Sequence, residues 1–158
     1  MRRFFAKITS EEEYHGAIFF PAHIALPGTG GSGPVDFLLD TGSASTILGE
    51  NYLIKLGLEI HSLPRASMPI SGWCGQTEAH VVPGACVFLR DANGQSEMFE
   101  LPQVICGRNP RDGKEKKGRV RIRSISIPSV LGRDFLETHD LVAHIDLRDK
   151  YVFPNTKA

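Results

Sequence analysis

Short apolar runs separated by glycine, proline, asparagine and aspartate recur along most of the chain. The runs are rich in Val, Ile and Phe and have the length of strands, whereas patterns with the helical period are few. Strands are therefore predicted at 17–26, 35–39, 66–70, 79–82, 85–90, 96–101 and 120–127. This pattern is typical of a mainly β fold.

Local signals predict where the chain turns and where it forms helices. The Asn93-Gly94 pair lies between two predicted strands and favours a hairpin. Short helices are predicted at 50–56, where Gly57 closes the helix, and at 135–138. The remaining predictions of this kind are a flexible glycine-rich connection at 27–34 and a closing hairpin formed by 141–147 and 151–153.

The composition limits the size, the partners and the compartment of the protein. Its 158 residues suit a single domain, 1–158, and 18 Lys and Arg residues balance 18 Asp and Glu residues. A neutral chain has no overall field to hold nucleic acid, and no apolar run approaches the roughly 18 residues of a membrane span. Three cysteines without a CxxC pair, and a first segment without a signal-peptide pattern, fit a reducing compartment. We therefore expect a cytoplasmic protein. Residues 107–118 are rich in Gly, Pro and charged residues, so they are predicted to form a mobile loop.

The candidate chemistry starts at the end of the predicted strand 35–39, where the sequence reads Asp40-Thr41-Gly42-Ser43. An aspartate at a strand end, followed by glycine and hydroxyl residues, lies on a turn that permits close backbone approach and hydrogen bonds to the carboxylate. An isolated aspartate at such a junction is more often only a turn-forming residue. A second motif is therefore needed before this one indicates catalysis.

That second motif is Val130-Leu131-Gly132-Arg133-Asp134. The two motifs, in this order, resemble those of the retropepsin-like aspartic proteases, which carry Asp-Thr-Gly behind an apolar strand and a hydrophobic-hydrophobic-Gly-Arg-Asp element before a C-terminal helix. The resemblance implies an all-β fold, namely a closed acid-protease β-barrel with one or two short helices and a flap hairpin. It also implies an aspartic endopeptidase that hydrolyses polypeptides as a homodimer.

The resemblance implies roles for the residues of the first motif. Asp40 of each copy would form the catalytic dyad, and Thr41 would interlock with its copy beneath that dyad. Gly42 would offer its carbonyl to the substrate, and Ser43 would hydrogen-bond the outer carboxylate oxygen. These four residues are the predicted catalytic loop.

The resemblance also implies structural roles for the second motif. Leu131 would pack beneath the catalytic loop, and Gly132 would let the two segments cross. Many family members have an aspartate two residues past the glycine of the first motif, and it pairs with the arginine of the second. Ala44 stands there in this chain, so Arg133 needs another partner. Glu50, Asp134 and a carboxylate of the second chain are the candidates.

The stretch 70–77 lies where the family places the flap hairpin that closes over bound substrate. Its centre, Gly72-Trp73-Cys74-Gly75, has glycines on both sides that supply turn geometry and hinge freedom. Trp73 would then press on substrate side chains. A plain hairpin in which Trp73 covers the edge of the core is the alternative.

Two further functions stay open beside the protease. The basic residues between 108 and 123 suggest a nucleic-acid-binding β domain, although such a charge run is usually a solvated loop. A catalytically silent retropepsin-like fold would serve as a peptide-binding or assembly module. The intact Asp40-Thr41-Gly42 and the neutral overall charge favour a protease with a polypeptide substrate and neither nucleic acid nor membrane as partner. This mechanism needs no metal or cofactor, and the six histidines lack ligand spacing.

Overall fold

Strands form most of the secondary structure of the protein. The computed structural model describes residues 4, 6–9, 16–72, 75–109, 126–146 and 151–156. Within these ranges there are eleven strands: β1 Lys7–Ile8, β2 Ile18–Leu26, β3 Gly31–Leu39, β4 Ile47–Gly49, β5 Ile70–Gly72, β6 Gly75–Thr77, β7 Ala79–Arg90, β8 Ser96–Gly107, β9 Ser129–Leu131, β10 Leu141–Asp146 and β11 Tyr151–Thr156. The same ranges contain two α-helices, α1 Glu50–Lys55 and α2 Arg133–Thr138, and a 3-10 helix, Ile60–Ser62.

Six of the described strands close into a ring in the order β2-β3-β9-β4-β8-β7, because β7 pairs back onto β2. Two neighbouring pairs, β3 with β9 and β4 with β8, are parallel. The pairs β2–β3, β2–β7, β4–β9 and β7–β8 are antiparallel. Closure leaves the ring without a free sheet edge. The predicted all-β fold, a closed barrel with two short helices, is confirmed.

Alternating burial along the strands gives the ring its apolar interior. In β3, Val35 and Phe37 are buried and alternate with exposed residues such as Asp36, as the pleat of a strand requires. Phe135 of α2 packs against Phe99 of β8, with ring centroids 5.3 Å apart, so α2 belongs to the same core. Other fully buried side chains of this core are Ile24, Leu26, Leu48, Leu53, Val82, Val87 and Val104.

Strand β3 starts at Gly31, inside the stretch predicted to be a flexible connection, and only residues 27–30 form a turn. The glycines of this stretch are strand residues that lie under leucine side chains. A Cβ on Gly31 would be 2.9 Å from Leu58 Cδ1, and one on Gly33 would be 2.7 Å from Leu56 Cδ2. That part of the prediction is therefore wrong, because the glycines there serve close packing.

Strand β7 is continuous where two strands were predicted. Pro83 pairs with Gln103 and Ala85 pairs with Leu101, on the two sides of Gly84. Gly84 has a φ of +70°, which glycine adopts without strain. The strand therefore passes through this position without ending, and its partner β8 likewise extends beyond the predicted 96–101 to Gly107.

The predicted strand at 66–70 is also wrong, since only Ile70 of that stretch belongs to a strand. Its neighbour Arg65 forms an isolated bridge with His80. The backbone around it is held by two further bonds to β7, from Ala66 N to Ala79 O (2.9 Å) and from Val81 N to Pro64 O (2.8 Å). This segment therefore touches β7 too briefly to form a ladder.

The predicted helices and hairpins are present with small shifts of boundary. Helix α1 ends before Gly57, whose φ is +75°, and Leu58 N donates to Leu53 O (2.9 Å) across this end. The Asn93-Gly94 hairpin joins β7 to β8, and β10 and β11 form the closing hairpin.

Part of the sequence predictions falls on residues outside the described ranges. These are residues 110–118 of the loop predicted at 107–118 and residues 120–125 of the strand predicted at 120–127. Within the described ranges, none of the helices has the length and apolar character needed to cross a membrane.

Candidate active site

The first predicted motif lies where two parallel strands end side by side. Strand β3 pairs with β9 so that Leu39 lies opposite Leu131. The chain then leaves β3 at Asp40, whose backbone N–H donates to Leu131 O at 3.2 Å. Leu131 is buried, 2 % exposed. The apolar residues of the second motif thus form the base from which the Asp40 loop projects.

The Asp40 carboxylate is exposed at the start of a tight turn. Gly42 N donates to Asp40 Oδ1 at 2.8 Å, and Ser43 N donates to Asp40 O at 3.1 Å. A Cβ on Gly42 would be 3.0 Å from Asp40 Oδ1, so a larger residue there would require a small shift of the carboxylate. The turn fixes one carboxylate oxygen by a backbone hydrogen bond.

Thr46 joins the two motifs from inside the protein. Its side chain is completely buried, and its Oγ1 donates to Asp134 Oδ1 at 2.7 Å while accepting from Gly132 N at 3.2 Å. This buried hydroxyl both donates and accepts, so it satisfies Gly132 N and adds a second hydrogen bond to Asp134 Oδ1, which also accepts from Phe135 N. Thr46 is not among the residues predicted from the sequence, because a single threonine before the apolar pair Ile47-Leu48 does not show that it will be buried or which groups it will contact.

The segments around Ser43 and Gly132 cross in direct backbone contact. Arg133 N donates to Ser43 O at 2.9 Å, and Asp134 N donates to Ala44 O at 3.3 Å. A Cβ on Gly132 would lie 2.4 Å from Ser45 C, a distance that no side chain can adopt. The structure therefore brings both predicted motifs together, with glycine at the crossing.

Ser43 has a different hydrogen-bond acceptor from the one expected for it. Its hydroxyl donates to Ser45 O at 2.8 Å and not to the Asp40 carboxylate. The Ser43 hydroxyl therefore forms a hydrogen bond within the loop, and this bond stabilises the bend after Gly42. Thr41, the remaining residue of the motif, is exposed at the tip of the turn.

Neither predicted partner within the chain pairs with Arg133. Glu50 Oε2 accepts from Asn109 N at 2.9 Å. Asp134 Oδ1 accepts from Thr46 Oγ1 and from Phe135 N, both at 2.7 Å. Within the described part of the chain, the exposed Arg133 side chain forms no ion pair.

A short hairpin lies where the flap was expected. Strands β5 and β6 pair from Ile70–Thr77 to Gly72–Gly75, whereas Trp73 and Cys74 fall outside the described residues. The hairpin follows the predicted order of elements, between α1 and the long strand β7.

Ion pairs fasten the base of this hairpin to the end of β8. Arg108 Nη1 contacts Glu78 Oε2 at 2.7 Å, and Arg65 Nη2 contacts Glu78 Oε1 at 3.1 Å. The hydrogen bond from Arg108, together with the charge of Arg65, lowers the pKa of Glu78. Thr77 Oγ1 also donates to Arg108 O at 2.6 Å. The β5–β6 hairpin therefore extends from a fixed base.

The site has the chemistry of a carboxylate held on a backbone turn. Across the described residues, His, Cys, Asp and Glu side chains form no group of three or more that could hold a metal ion. What the site offers to a substrate or a water molecule is therefore the Asp40 carboxylate, the exposed Thr41 and the backbone of Gly42.

Two solved structures are similar to this chain. One is EIAV protease complexed with the inhibitor HBY-793, with 18% sequence identity, a TM-score of 0.43, and coverage of 76% of this chain and 85% of that one. The other is a retropepsin-like aspartic protease from Rickettsia conorii, with 17% identity, a TM-score of 0.49, and coverage of 90% and 91%. No protein-family model and no curated protein matches the sequence. At these identities the two likenesses concern the fold and are no evidence for an activity.

Proposed function

We propose that this chain is an aspartic endopeptidase that is active as a homodimer, with Asp40 of each copy forming the catalytic pair. The observation that carries the proposal is the exposed Asp40 carboxylate, which a backbone hydrogen bond from Gly42 fixes on a loop braced by Thr46 and Asp134. A loop that served only to form a turn would not need the bond from its Thr46 to Asp134, 88 residues later in the chain.

A second copy supplies what one chain lacks. A single carboxylate cannot act as both base and acid, whereas two can share these roles. Two unit charges about 3 Å apart repel by about 5 kcal/mol at an effective dielectric constant of about 20. The pair therefore retains one proton between its two members, which is the general behaviour of aspartic-protease dyads.

The reaction then needs only the two carboxyl groups and a water molecule. The ionised Asp40 takes a proton from the water while the water oxygen attacks the carbonyl carbon of the scissile peptide bond. The protonated Asp40 of the other copy donates its proton toward the carbonyl oxygen. Collapse of this tetrahedral intermediate returns a proton to the leaving nitrogen and breaks the C–N bond. No group besides Asp40 has to ionise.

We also propose roles around this dyad for the other predicted residues. Thr41 is proposed to contact its copy beneath the pair, and the carbonyl of Gly42 to accept a hydrogen bond from the substrate backbone. The β5–β6 hairpin, with Gly72 and Gly75 at its turn, is proposed to close over the substrate as a flap. The β10–β11 hairpin is proposed as an interface strand pair, and it carries an exposed apolar side chain, Val142, 42% exposed.

Cleavage of an unfolded protein by matched variants tests this function. Wild type, Asp40→Asn and Asp36→Asn would be incubated with reduced and alkylated casein between about pH 4 and pH 7, and fragments followed by mass spectrometry. Asp36→Asn is the matched control, because it removes an exposed carboxylate from β3, the strand that leads to Asp40. We expect wild type and Asp36→Asn to cut casein and Asp40→Asn to be inactive.

A statine-type mimic of the tetrahedral intermediate provides an independent readout. It should abolish cleavage by wild type, since a transition-state mimic binds more tightly than the substrate. If a dimeric wild type leaves casein intact, or if Asp40→Asn cuts as well as wild type, the protease proposal fails. The peptide-binding module would then be the better explanation.

A further inference from the structure

Arg133 lies next to the Asp40 loop, although it follows Asp40 by more than ninety residues in the sequence. Its backbone N–H donates to Ser43 O at 2.9 Å, and Ser43 N donates to Asp40 O at 3.1 Å. Two hydrogen bonds therefore connect the backbone of Arg133 to that of Asp40. The Arg133 side chain is exposed and starts from a backbone segment that contacts the Asp40 loop.

The two carboxylates of the chain that were expected as partners of Arg133 have other hydrogen-bond partners. Asp134 Oδ1 accepts from Thr46 and from Phe135 N, and Glu50 Oε2 accepts from Asn109 N. The Arg133 guanidinium lies within ion-pair distance of no carboxylate among the described residues, including Asp40 itself. Within the described ranges, this permanently charged group therefore has no ion-pair partner.

The matching loop of a second copy would not supply a carboxylate to Arg133. Dimerisation about Asp40 is isologous, so each copy presents the same loop to the other. From Thr41 to Thr46 this loop contains only hydroxyl residues, a glycine and Ala44. The acidic group that this loop brings is therefore Asp40, which the proposed reaction uses.

We propose that Arg133 binds a carboxylate of the substrate, so that the enzyme prefers peptides with Glu or Asp about two or three residues from the scissile bond. This inference rests on the proposed protease function. An extended peptide advances about 3.3 Å per residue, so a substrate side chain two or three residues away would lie about 7 to 10 Å from the scissile bond along the peptide, and Arg133 is proposed to reach it there. The planar guanidinium matches a carboxylate with two parallel hydrogen bonds.

Symmetry gives this proposal a distinctive consequence. A homodimer carries Arg133 twice, at equal distances on the two sides of the dyad axis. The preference for an acidic residue should therefore appear at matching positions before and after the scissile bond. A preference on one side only would contradict a role for Arg133 in both copies.

Substrate peptides with single Gln-to-Glu exchanges test the proposal. A nine-residue peptide spanning a bond that wild type cuts in casein would carry Gln at every position within three residues of that bond except the two flanking it. Each Gln would be changed to Glu in turn, and kcat/KM measured at pH 6, where the glutamate is ionised. We expect wild type to cut the best Glu peptides about five to ten times faster than the Gln peptide.

Three variants test whether Arg133 causes this preference for glutamate. Arg133→Gln should reduce the Glu-to-Gln ratio to about one. Ala44→Asp should reduce it as well, because it places a carboxylate of the chain itself beside Arg133, whose neighbour Asp134 bonds Ala44 O. Arg90→Gln is the matched control, since Arg90 is an exposed arginine on β7 and also lacks an ion pair in the described part of the chain; its ratio should equal that of wild type.

The outcomes separate this inference from the proposed function. Absence of cleavage of every peptide would remove the protease function itself. Cleavage with a ratio near one at all positions, or a ratio that survives Arg133→Gln, would overturn the role of Arg133 while leaving the protease intact. A weakened dimer in Arg133→Gln, seen by sedimentation, would also overturn it, because the carboxylate would then belong to the partner copy.

Discussion

At the scale of single residues, one hydroxyl group connects segments that are far apart in the chain. Thr46 bonds Gly132 N, 86 residues later, and Asp134, 88 residues later. Both motifs could be recognised in the sequence because they contain a charged residue and a glycine at fixed positions. Thr46 could not, since a lone threonine before a strand gives no sign that it will be buried or which groups it will meet.

Loss of the Thr46 hydroxyl should destabilise the protein. Thr46→Val keeps the shape of the side chain but leaves the buried Gly132 N without its acceptor, and it removes one of the two hydrogen bonds to Asp134 Oδ1, which keeps the bond from Phe135 N. We expect the free energy of unfolding to fall by about 1 to 3 kcal/mol, the usual cost of one unpaired buried donor. Urea unfolding followed by circular dichroism measures this loss, and Thr46→Ser, which keeps the hydroxyl, should lose about 1 kcal/mol. Equal midpoints for Thr46→Val and wild type would contradict the bracing role.

The two described cysteines should differ strongly in reactivity. Cys106 is fully buried in the core, and burial raises the pKa of its thiol from 9.0 to about 12. Cys86 lies on β7 and is partly exposed. The thiolate is the reactive species, so at pH 8 Cys86 should react with iodoacetamide and Cys106 should not.

Mass spectrometry of the Cys74→Ser variant after iodoacetamide treatment measures this difference in reactivity between Cys86 and Cys106. We expect one added label in the folded protein, on Cys86, and two in guanidinium chloride. The pKa shift also fixes the sign of the effect on stability. Between pH 9.0 and about 12 the unfolded chain releases a proton that the native Cys106 keeps, so the contribution of this thiol to stability falls as the pH rises. Rapid labelling of Cys106 at pH 8 without unfolding would contradict its burial.

At the scale of elements, the sequence predicted a hairpin correctly where the turn residue is required only by the local backbone conformation. Asn93-Gly94 could be interpreted locally, since Gly94 adopts a φ of +80° in a short connection. Gly31 and Gly33 could not, because the reason for glycine there is contact with leucines after helix α1. Glycine can therefore be required for a positive φ or for close packing. The sequence does not distinguish these two reasons when the packing partner lies far away in the chain.

The ends of segment 110–125 are held together by a hydrogen-bonded group of polar side chains. Asn109 Oδ1 accepts from Ile127 N at 2.9 Å, and Asn109 Nδ2 donates to Asn51 Oδ1 at 3.0 Å. Asn51 Nδ2 also donates to Ser126 Oγ at 2.7 Å. The barrel on both sides of the segment is therefore joined without using the residues between.

Replacement of 110–125 by a four-residue Gly-Ser linker should leave the barrel folded. Shortening the connection between residues 109 and 126 to a quarter of its length lowers the cost of closing a flexible chain by about 1 kcal/mol, so we expect a melting temperature equal to that of wild type or a few degrees higher. Thermal unfolding followed by circular dichroism measures it. The same replacement in an Asn109→Ala background should melt at a lower temperature, because the hydrogen bonds of Asn109 to Asn51 and Ile127 are lost. A shortened protein that loses its cooperative transition would show that 110–125 is part of the fold.

At the scale of the whole molecule, the closed ring explains why the site forms where it does. Strands β3 and β9 can lie parallel because the chain passes through β4, β7 and β8 between them before it returns, and this long path brings Leu131 beneath Asp40. The sequence indicated the pieces and, through the family resemblance, their arrangement. Strand order itself depends on pairings between distant segments, which no local pattern contains.

Mixing active and inactive copies should decide whether the whole enzyme is a dimer. If catalysis needs Asp40 from both copies, a mixed dimer of wild type with Asp40→Asn has only one of the two carboxylates and is inactive. With a tenfold excess of Asp40→Asn, random pairing leaves about one-tenth of the wild-type copies in fully active dimers. Casein cleavage per wild-type chain should therefore fall to about one-tenth once subunits have exchanged, and an equal excess of Asp36→Asn should cause no loss. Activity that is proportional to the amount of wild type, whatever the excess of Asp40→Asn, would mean that one chain is sufficient, and the shared-proton pair would have to be replaced by a second acidic group within the same copy.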